Sequence, residues 1–401
     1  MKQKGGYDTD ECFNMVKYSP VRIGFDVAQT CVDKAGCGWL ADLLIRALVD
    51  LAPEVDFYLY HQFGTWINSD VSTGTHLSGA HVREPFNSMS PGRASEIWNQ
   101  VEGAGKSLPG DPDIVHANCF QAPSTGRAKL IYTVYDVSFW AKPEFTTEAN
   151  RLLCQRGTLE AISRASGLVF ISESARKEFE KILPDLCQKR GIETTVALLA
   201  SRFPPVERSR QQAPAAEWLA VGSLEPRKNY EHLLDAFEGY WERSGKKRRL
   251  VIAGGSGWKS ERLRARIGTM EKNGMINYLG YVDDTRLWEL YKNAFGLIFP
   301  SHYEGFGLPI VEAMSQACPV ITRKNTSLPE VGGEAAVYYD DTTSDLVEQM
   351  LRLEEQSQLY VELSERALAQ ARRFTWAKTA AKVFELYEQV LSSSTEAKQV
   401  P

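Results

Sequence analysis

Residues 295–315 read FGLIFPSHYEGFGLPIVEAMS: an apolar run from Phe295 to Phe299, a glycine-bearing turn, and a segment of helical character from Leu308 to Ser315. A short apolar run bounded by turn residues reads as a buried strand, and a strand that passes directly into a helix is the building unit of parallel, helix-covered sheets. Such sheets take their ligands outside the carboxyl ends of the strands. Gly305 and Gly307 fall at that place. Glycine lets a backbone approach a ligand closely, and the free N–H groups and positive dipole end of the following helix attract phosphate oxygens. Glu304 and Glu312 stand at the two ends of the turn. Glu304 is expected to face a polyhydroxylated group beside the phosphates, and Glu312, about two helical turns further on, to accept hydrogen bonds from a ribose. A solvated acid and a helix-face acid are the plain alternative.

The same alternation extends through the chain. Val21 to Phe25, Val55 to Tyr60, Ile114 to His116, Leu130 to Tyr135 and Leu168 to Ile171 read as strands, and Trp39 to Leu51 as an amphipathic helix preceded by Gly36-Cys37-Gly38. The pattern breaks at SRFPPVERSRQQAPAA, residues 201–216, whose three prolines and polar residues suit an interdomain linker. A second alternating series runs from Trp218 to about Tyr339. At 401 residues the chain exceeds the size at which a single core keeps growing, so two α/β domains facing each other across a cleft are expected. The divisions are a polar leader over 1–19, a first domain over 20–203, a linker over 204–216, a second domain over 217–372, a helix over 373–391 and a polar tail over 392–401.

Composition narrows the function. Hydrophobic residues make up 43% and charged residues 24%, as in ordinary globular proteins, and the net charge of −5 gives no general attraction to nucleic acid or anionic lipid. The one basic cluster is RSGKKRR, residues 243–249, read as a solvated loop or as a membrane or polyanion contact. Seven scattered cysteines without C-x-x-C spacing argue against a disulfide framework or a zinc site and suit a reducing cytosol. No run approaches the roughly 18 apolar residues of a membrane span. The expected setting is cytoplasmic, with at most a peripheral contact at the inner face of a membrane.

The segment Ile276 to Asp341 closely resembles the C-terminal half of the retaining nucleotide-sugar glycosyltransferases of family 4, which have the GT-B fold. Upstream, VGSLEPRKN at 221–229 is similar to that family's phosphate-binding turn, and LVIAGG at 250–255 to its next strand and glycine turn. The match runs from about Trp218 to the C-terminus and is carried by isolated signposts before it. It implies two Rossmann-like domains across a cleft, a last helix (Trp376 to Leu391) crossing back to the first domain, with a plain helix of the second domain as the alternative, a nucleotide diphosphate sugar donor, and a saccharide or lipid-linked glycan acceptor. No nucleic-acid partner and no cofactor are implied. LEPRKN and the form of residues 131–145 resemble mannosyltransferases that use GDP-mannose, so mannose is the first donor considered.

The resemblance assigns roles to particular residues. Gly305, Phe306, Gly307 and Leu308 lie against the donor with Glu304 and Glu312. Lys228 follows a strand and turn, from which a long cationic side chain reaches a diphosphate and stabilises the charge that grows on it as the sugar leaves. The family commonly has a basic residue where Ser223 stands here, and Arg227 is taken to supply that charge, a solvated helix start being the alternative. Gly254 forms a tight turn beside the nucleotide; the run GGSGWKS around it lacks the Gly-Lys adjacency of a P-loop. Gly280 and Tyr281 match the segment that contacts the nucleobase, with core packing of Tyr281 as the alternative. Gly36 and Gly38 match a loop that approaches the donor phosphates or the acceptor, or form an ordinary connection into a helix.

Tyr135 replaces the family's histidine, and Asp136 follows it. With an unperturbed pKa near 10, tyrosine is a poor proton acceptor. Retention in this family is usually explained by a front-face displacement in which the leaving phosphate oxygen takes the acceptor's proton, so Tyr135 need only orient the sugar. Asp136 is a partner of the sugar or acceptor, or a strand-end cap; His116 lines the cleft or packs in a core. No metal-chelating D-x-D motif is present, so metal-independent chemistry with full activity in EDTA is expected. Glu304→Ala or Lys228→Ala is expected to lower turnover far more than folding stability. Tyr135 and Ser223 also fit a catalytically silent nucleotide-sugar-binding relative that scaffolds a partner enzyme, against which the intact Glu304, Glu312 and Lys228 argue.

Overall fold

The computed structural model describes residues 21–31, 34, 36–209 and 217–396, the last three of these in backbone only. The leader over 1–19, linker residues 210–216 and tail residues 397–401 lie outside the described residues.

Two parallel sheets carry the chain. The first holds β1 (Arg22–Asp26), β2 (Asp56–Tyr60), β3 (Val82–Arg83), β4 (Ile114–Ala117), β5 (Lys129–Val134), β6 (Ala165–Phe170) and β7 (Glu193–Val196), in the order β3-β2-β1-β4-β5-β6-β7. The second holds β8 (Trp218–Val221), β9 (Leu250–Ala253), β10 (Ile276–Gly280), β11 (Gly296–Phe299), β12 (Val320–Arg323) and β13 (Ala336–Tyr339), in the order β10-β9-β8-β11-β12-β13. Each sheet reverses its winding once, between β1 and β4 and between β8 and β11, and a crevice opens at the carboxyl ends of strands at such a switch point. Registers such as Ile23 opposite Ile114 and Leu297 opposite Leu219 fix these pairs. The central strands β4 and β11 are buried along their length because helices cover both faces, which is why β11 reads as a continuous apolar run rather than an alternating one.

The last helix, Trp376–Glu396, leaves the second domain and lies along β6, β7 and the helix Gly36–Leu51 of the first. Ala380, Val383, Leu386, Tyr387 and Val390 are buried there. Trp376 Nε1 donates to the Ser201 carbonyl at 3.0 Å and Thr379 Oγ1 to that of Leu198 at 2.6 Å. His116 is fully buried beneath this helix, with Nδ1 2.6 Å from the Tyr387 hydroxyl and Nε2 2.8 Å from Thr133 Oγ1. Burial drives its pKa down to about 3, so it is a neutral core histidine.

The domains also meet along one edge of the cleft. Ser172 Oγ donates to the Gly305 carbonyl at 2.6 Å, and the Glu330 carboxylate of the second domain accepts from the amides of Glu173 (2.9 Å) and Ser174 (3.2 Å), capping the first-domain helix Glu173–Ile182. Further out, Trp258 Nε1 donates to the Phe145 carbonyl at 2.8 Å, and the Phe145 ring stacks on His302. The described part of the linker is held down rather than free: Val206 N donates to the Ser315 carbonyl at 2.9 Å and Gln316 Nε2 to that of Pro204 at 2.9 Å.

The arginines of the basic stretch 243–249 are paired with acids of the same domain. Arg243 pairs with Glu348, Arg249 with Glu217, and the buried Arg248 with Glu354 at 2.9 Å. No helix among the described residues is long and apolar enough to cross a membrane.

Candidate active site

A cavity of about 660 Å³ lies between the carboxyl ends of the two sheets, within the usual range for a small-molecule site. Its second-domain wall is built from the ends of β8 and β11. After β8 the chain makes a short 3-10 turn, Pro226–Lys228, and Asn229 adopts the left-handed conformation (φ 58°) that starts the helix Tyr230–Arg243. This turn aims Lys228 back under the segment that follows β11. Lys228 Nζ stands 2.6 Å from Glu304 Oε1, and Arg227 Nη1 stands 2.6 Å from Glu304 Oε2. Arg227 also pairs with Glu225 at 2.8 Å and donates to the Tyr303 carbonyl at 2.9 Å.

Two cations and two carboxylates thus balance one another at the cavity wall, Glu304 being 8% and Lys228 9% exposed. Burial alone would raise the Glu304 pKa, but Arg227 and Lys228 outweigh it and hold the carboxyl at about 2. Burial pushes the Lys228 ammonium down and the Arg227 guanidinium pushes the same way, while Glu304 opposes both. At 2.6 Å the Glu304 carboxylate is the closest acidic partner of Lys228 and opposes the downward push of burial on its ammonium.

The helix Leu308–Ser315 has Gly307 as its N-cap (φ 108°), so no side-chain cap covers its first amides. Gly305 presses on the first domain: a Cβ there would lie 2.2 Å from the Tyr135 carbonyl oxygen. Gly305→Ala is therefore expected to force the domain edges apart and to lower turnover by at least tenfold; wild-type kinetics in a purified G305A protein would show that this contact is not needed.

Several expected site residues sit otherwise than the sequence suggests. The Tyr135 ring lines the cavity, but its hydroxyl donates to the Asn118 carbonyl at 2.8 Å, and burial raises its pKa well above the usual value. Tyr135 therefore offers an aromatic face, and an orienting hydroxyl for a sugar is not free there. Asp136 lines the cavity and also caps a turn, its Oδ1 accepting from Ser138 N at 2.8 Å. Gly36 and Gly38 belong to the first turn of the helix Gly36–Leu51, which starts three residues before the expected Trp39. Gly36 faces the cavity, whereas Gly38 backs onto the Gln29 carbonyl, where a Cβ would come within 2.7 Å, and is a packing glycine.

Ser223, Gly254, Phe306 and Leu308 line the cavity. Gly280 does not; its carbonyl accepts from Gly254 N at 2.7 Å and so fixes the neighbouring turn. Tyr281 stands at the rim, 68% exposed, which excludes the core-packing alternative. Glu312 lines the cavity at only 1% exposure, and its oxygens already accept from Arg202 (2.5 and 3.2 Å) and from the Tyr291 hydroxyl (3.0 Å). Arg202, Trp39 and Glu225 are site residues that sequence reasoning missed. Arg202 carries no spacing signal to Glu312; Trp39, at the start of an apolar helical pattern beside two glycines, is the one that pattern could have flagged.

A candidate metal cluster lies elsewhere. Donor atoms of His61, His76 and Glu84 fall within 4.8 Å of one another. His76 uses Nδ1 toward Glu84 (2.7 Å) and Nε2 toward the Val71 carbonyl (2.9 Å), and its ring stacks on His61 at 4.7 Å. Stacked rings do not aim their nitrogens at one ion, and 4.8 Å is wide for ligands each about 2 Å from a metal. The group serves to pin the loop after β2.

Residues 207–370 match the family "Glycosyl transferases group 1". The chain is 30% identical over 268 residues to O-antigen chain mannosyltransferase B of Escherichia coli, covering 65% of this chain and 70% of that protein. It is 38% identical over 150 residues to the serotype-specific mannosyltransferase WbdA of Escherichia coli, of which those residues span only 18%. In fold it is similar to sucrose-phosphate synthase from Thermosynechococcus elongatus (TM-score 0.66, 16% identity, 93% of this chain and all of that one). It is also similar to WaaG, a glycosyltransferase involved in lipopolysaccharide biosynthesis (TM-score 0.61, 16% identity, 90% and 98%).

Proposed function

This chain belongs to the group 1 glycosyltransferases, a GT-B family, and from that we propose that it moves a mannosyl residue from GDP-mannose to a hydroxyl of a saccharide or lipid-linked glycan, with retention of configuration and without a metal. The observation that carries the reading is Glu304 held between Lys228 and Arg227 at the mouth of β8 and β11, inside the interdomain cavity. A diphosphate entering there competes for both cations. Lys228 and Arg227 turn their charge to the phosphate oxygens, and the Glu304 carboxylate is released to accept hydrogen bonds from sugar hydroxyls. These ion pairs hold the buried carboxylate and its cations together at the cavity wall where the donor is received.

In the transfer step the bond from the anomeric carbon to the phosphate oxygen breaks as the bond to the acceptor oxygen forms on the same face. The acceptor proton passes to the departing phosphate oxygen. Lys228 and Arg227 stabilise the charge that develops on the diphosphate, and the positive dipole end of the helix Leu308–Ser315 adds to it through the Leu308 amide, since Pro309 has no N–H and the Ile310 amide is bonded to the Gly307 carbonyl. The Tyr135 hydroxyl, bound to a backbone carbonyl and with a raised pKa, is no base for the acceptor, which fits proton transfer to the leaving group. Mannose as the transferred sugar draws support from the mannosyltransferase relatives. The non-catalytic scaffold reading is not favoured, because the charged cluster is complete despite Tyr135 and Ser223.

Thermal denaturation with GDP-mannose, UDP-glucose, UDP-galactose and UDP-N-acetylglucosamine tests the donor. A ligand at 100 times its Kd stabilises the folded state by about 2.7 kcal/mol, so the cognate donor should stand clear of the others. GDP-mannose is expected to give the largest shift and to support transfer in EDTA. A larger shift with a uridine donor would overturn the choice of mannose, and activity lost in EDTA and restored by Mg²⁺ would overturn metal independence.

A further inference from the structure

We propose that Arg202, on the segment joining the two domains, is a positioning residue that aims one carboxylate oxygen of Glu312 at the donor ribose and seats Trp39 of the opposite domain at the same time. The inference rests on the reading of the cavity as a nucleotide-sugar site. Glu312 is 1% exposed, and a buried carboxylate needs partners that fix both its charge and its direction. Arg202 supplies a planar fork that does both, since Nε donates to Oε1 at 2.5 Å and Nη2 to Oε2 at 3.2 Å. Its third nitrogen, Nη1, donates to Asp284 Oδ1 at 2.8 Å, so the guanidinium cannot swing.

The acceptor inventory then identifies the free position. An ionised carboxylate offers roughly four lone-pair directions. Oε2 spends both of its own, on Arg202 and on the Tyr291 hydroxyl at 3.0 Å, while Oε1 spends one on Arg202. The remaining direction of Oε1 is what a ribose hydroxyl can use, and the Arg202 fork sets where it points. The Arg202 guanidinium also lies 4.9 Å over the ring of Trp39, in the first turn of the helix Gly36–Leu51, and Lys34 Nζ stands 4.9 Å from the same ring. Trp39 is a cavity wall of the first domain, held by two cations. One side chain therefore joins the ribose anchor of the second domain to the acceptor-side wall of the first.

The test compares binding of GDP and UDP with that of their 2′,3′-dideoxy counterparts by calorimetry, in wild type, Arg202→Met and Arg202→Lys, together with donor KM and kcat. A hydrogen bond to a charged acceptor corresponds to about 10–100-fold in affinity, so wild type should prefer the ribose form of its cognate nucleotide by that factor. Arg202→Met should bring the preference to within about threefold and raise donor KM with a smaller change in kcat. Arg202→Lys keeps the charge but not the fork, and should lose most of the preference; it serves as the readout if the methionine variant does not fold. Wild-type preference in every folded variant overturns the proposal. No preference in wild type overturns the nucleotide-ribose reading of the cavity beneath it.

Discussion

Lys228→Ala is expected to lower kcat by about 10²- to 10³-fold at saturating donor, the usual loss when one charge-stabilising donor is taken from a transition state. Nζ of Lys228 sits 2.6 Å from Glu304 and both side chains are buried at the cavity wall, so a single positive charge there acts on a departing diphosphate with less screening than at the surface. Donor affinity should fall less, because Arg227 and the positive end of the helix Leu308–Ser315 still meet the phosphates. Lys228→Arg should not restore the rate: a planar fork does not reproduce a point charge reaching from a 3-10 turn, and Arg227 already occupies the adjoining position. Steady-state kinetics on folded variants decides the matter, and a K228A enzyme turning over at the wild-type rate would remove Lys228 from the chemistry.

Glu304→Gln should be nearly as damaging to turnover, and it also touches stability. The side chain keeps its shape but loses the charge that compensates Lys228 and Arg227, leaving the buried Lys228 and the half-buried Arg227 with Glu225 alone. Breaking a buried pair in this way costs about 3–5 kcal/mol. The burial of the cluster therefore adds a stability loss to the turnover loss expected from sequence. Linkage supplies a second signature. The Glu304 carboxyl is held at about 2, below its ordinary value near 4.3, so its contribution is fully present above about pH 4.5 and is lost as pH falls toward 2. Urea unfolding should accordingly show a gap between wild type and E304Q at pH 7 that narrows by pH 3. A gap that is the same at both pH values would mean that Glu304 is not held by charge.

What was legible from the sequence lay close together in the chain. The strand, turn and helix of 295–315 read correctly because periodicity and glycine punctuation are local signals, and the second domain follows from that unit repeated. Strands without apolar runs were not legible: β3 has two residues, and β7, Glu193–Val196, is a half-buried polar edge strand. Side-chain direction was hidden as well. Nothing around Tyr135 says that its hydroxyl turns to the Asn118 carbonyl, since that depends on how β4 and β5 lie side by side. Arg202 and Glu312 are 110 positions apart, and the arginine falls in a proline-rich stretch whose composition speaks only of a connection between domains.

The crossing of the helix Trp376–Glu396 onto the first sheet makes the two lobes unsuited to being cut apart at the linker. An amino-terminal fragment ending near residue 203 would leave bare the trough now filled by Ala380, Val383, Leu386 and Val390, and its partner fragment would trail an unsupported apolar segment. Each piece should be insoluble by itself and recover on mixing. A rearranged gene that starts at Trp218 and fuses the end of the last helix through a spacer to Val21 would instead keep that helix and the first sheet in one continuous chain, and should yield soluble protein where the separate fragments do not.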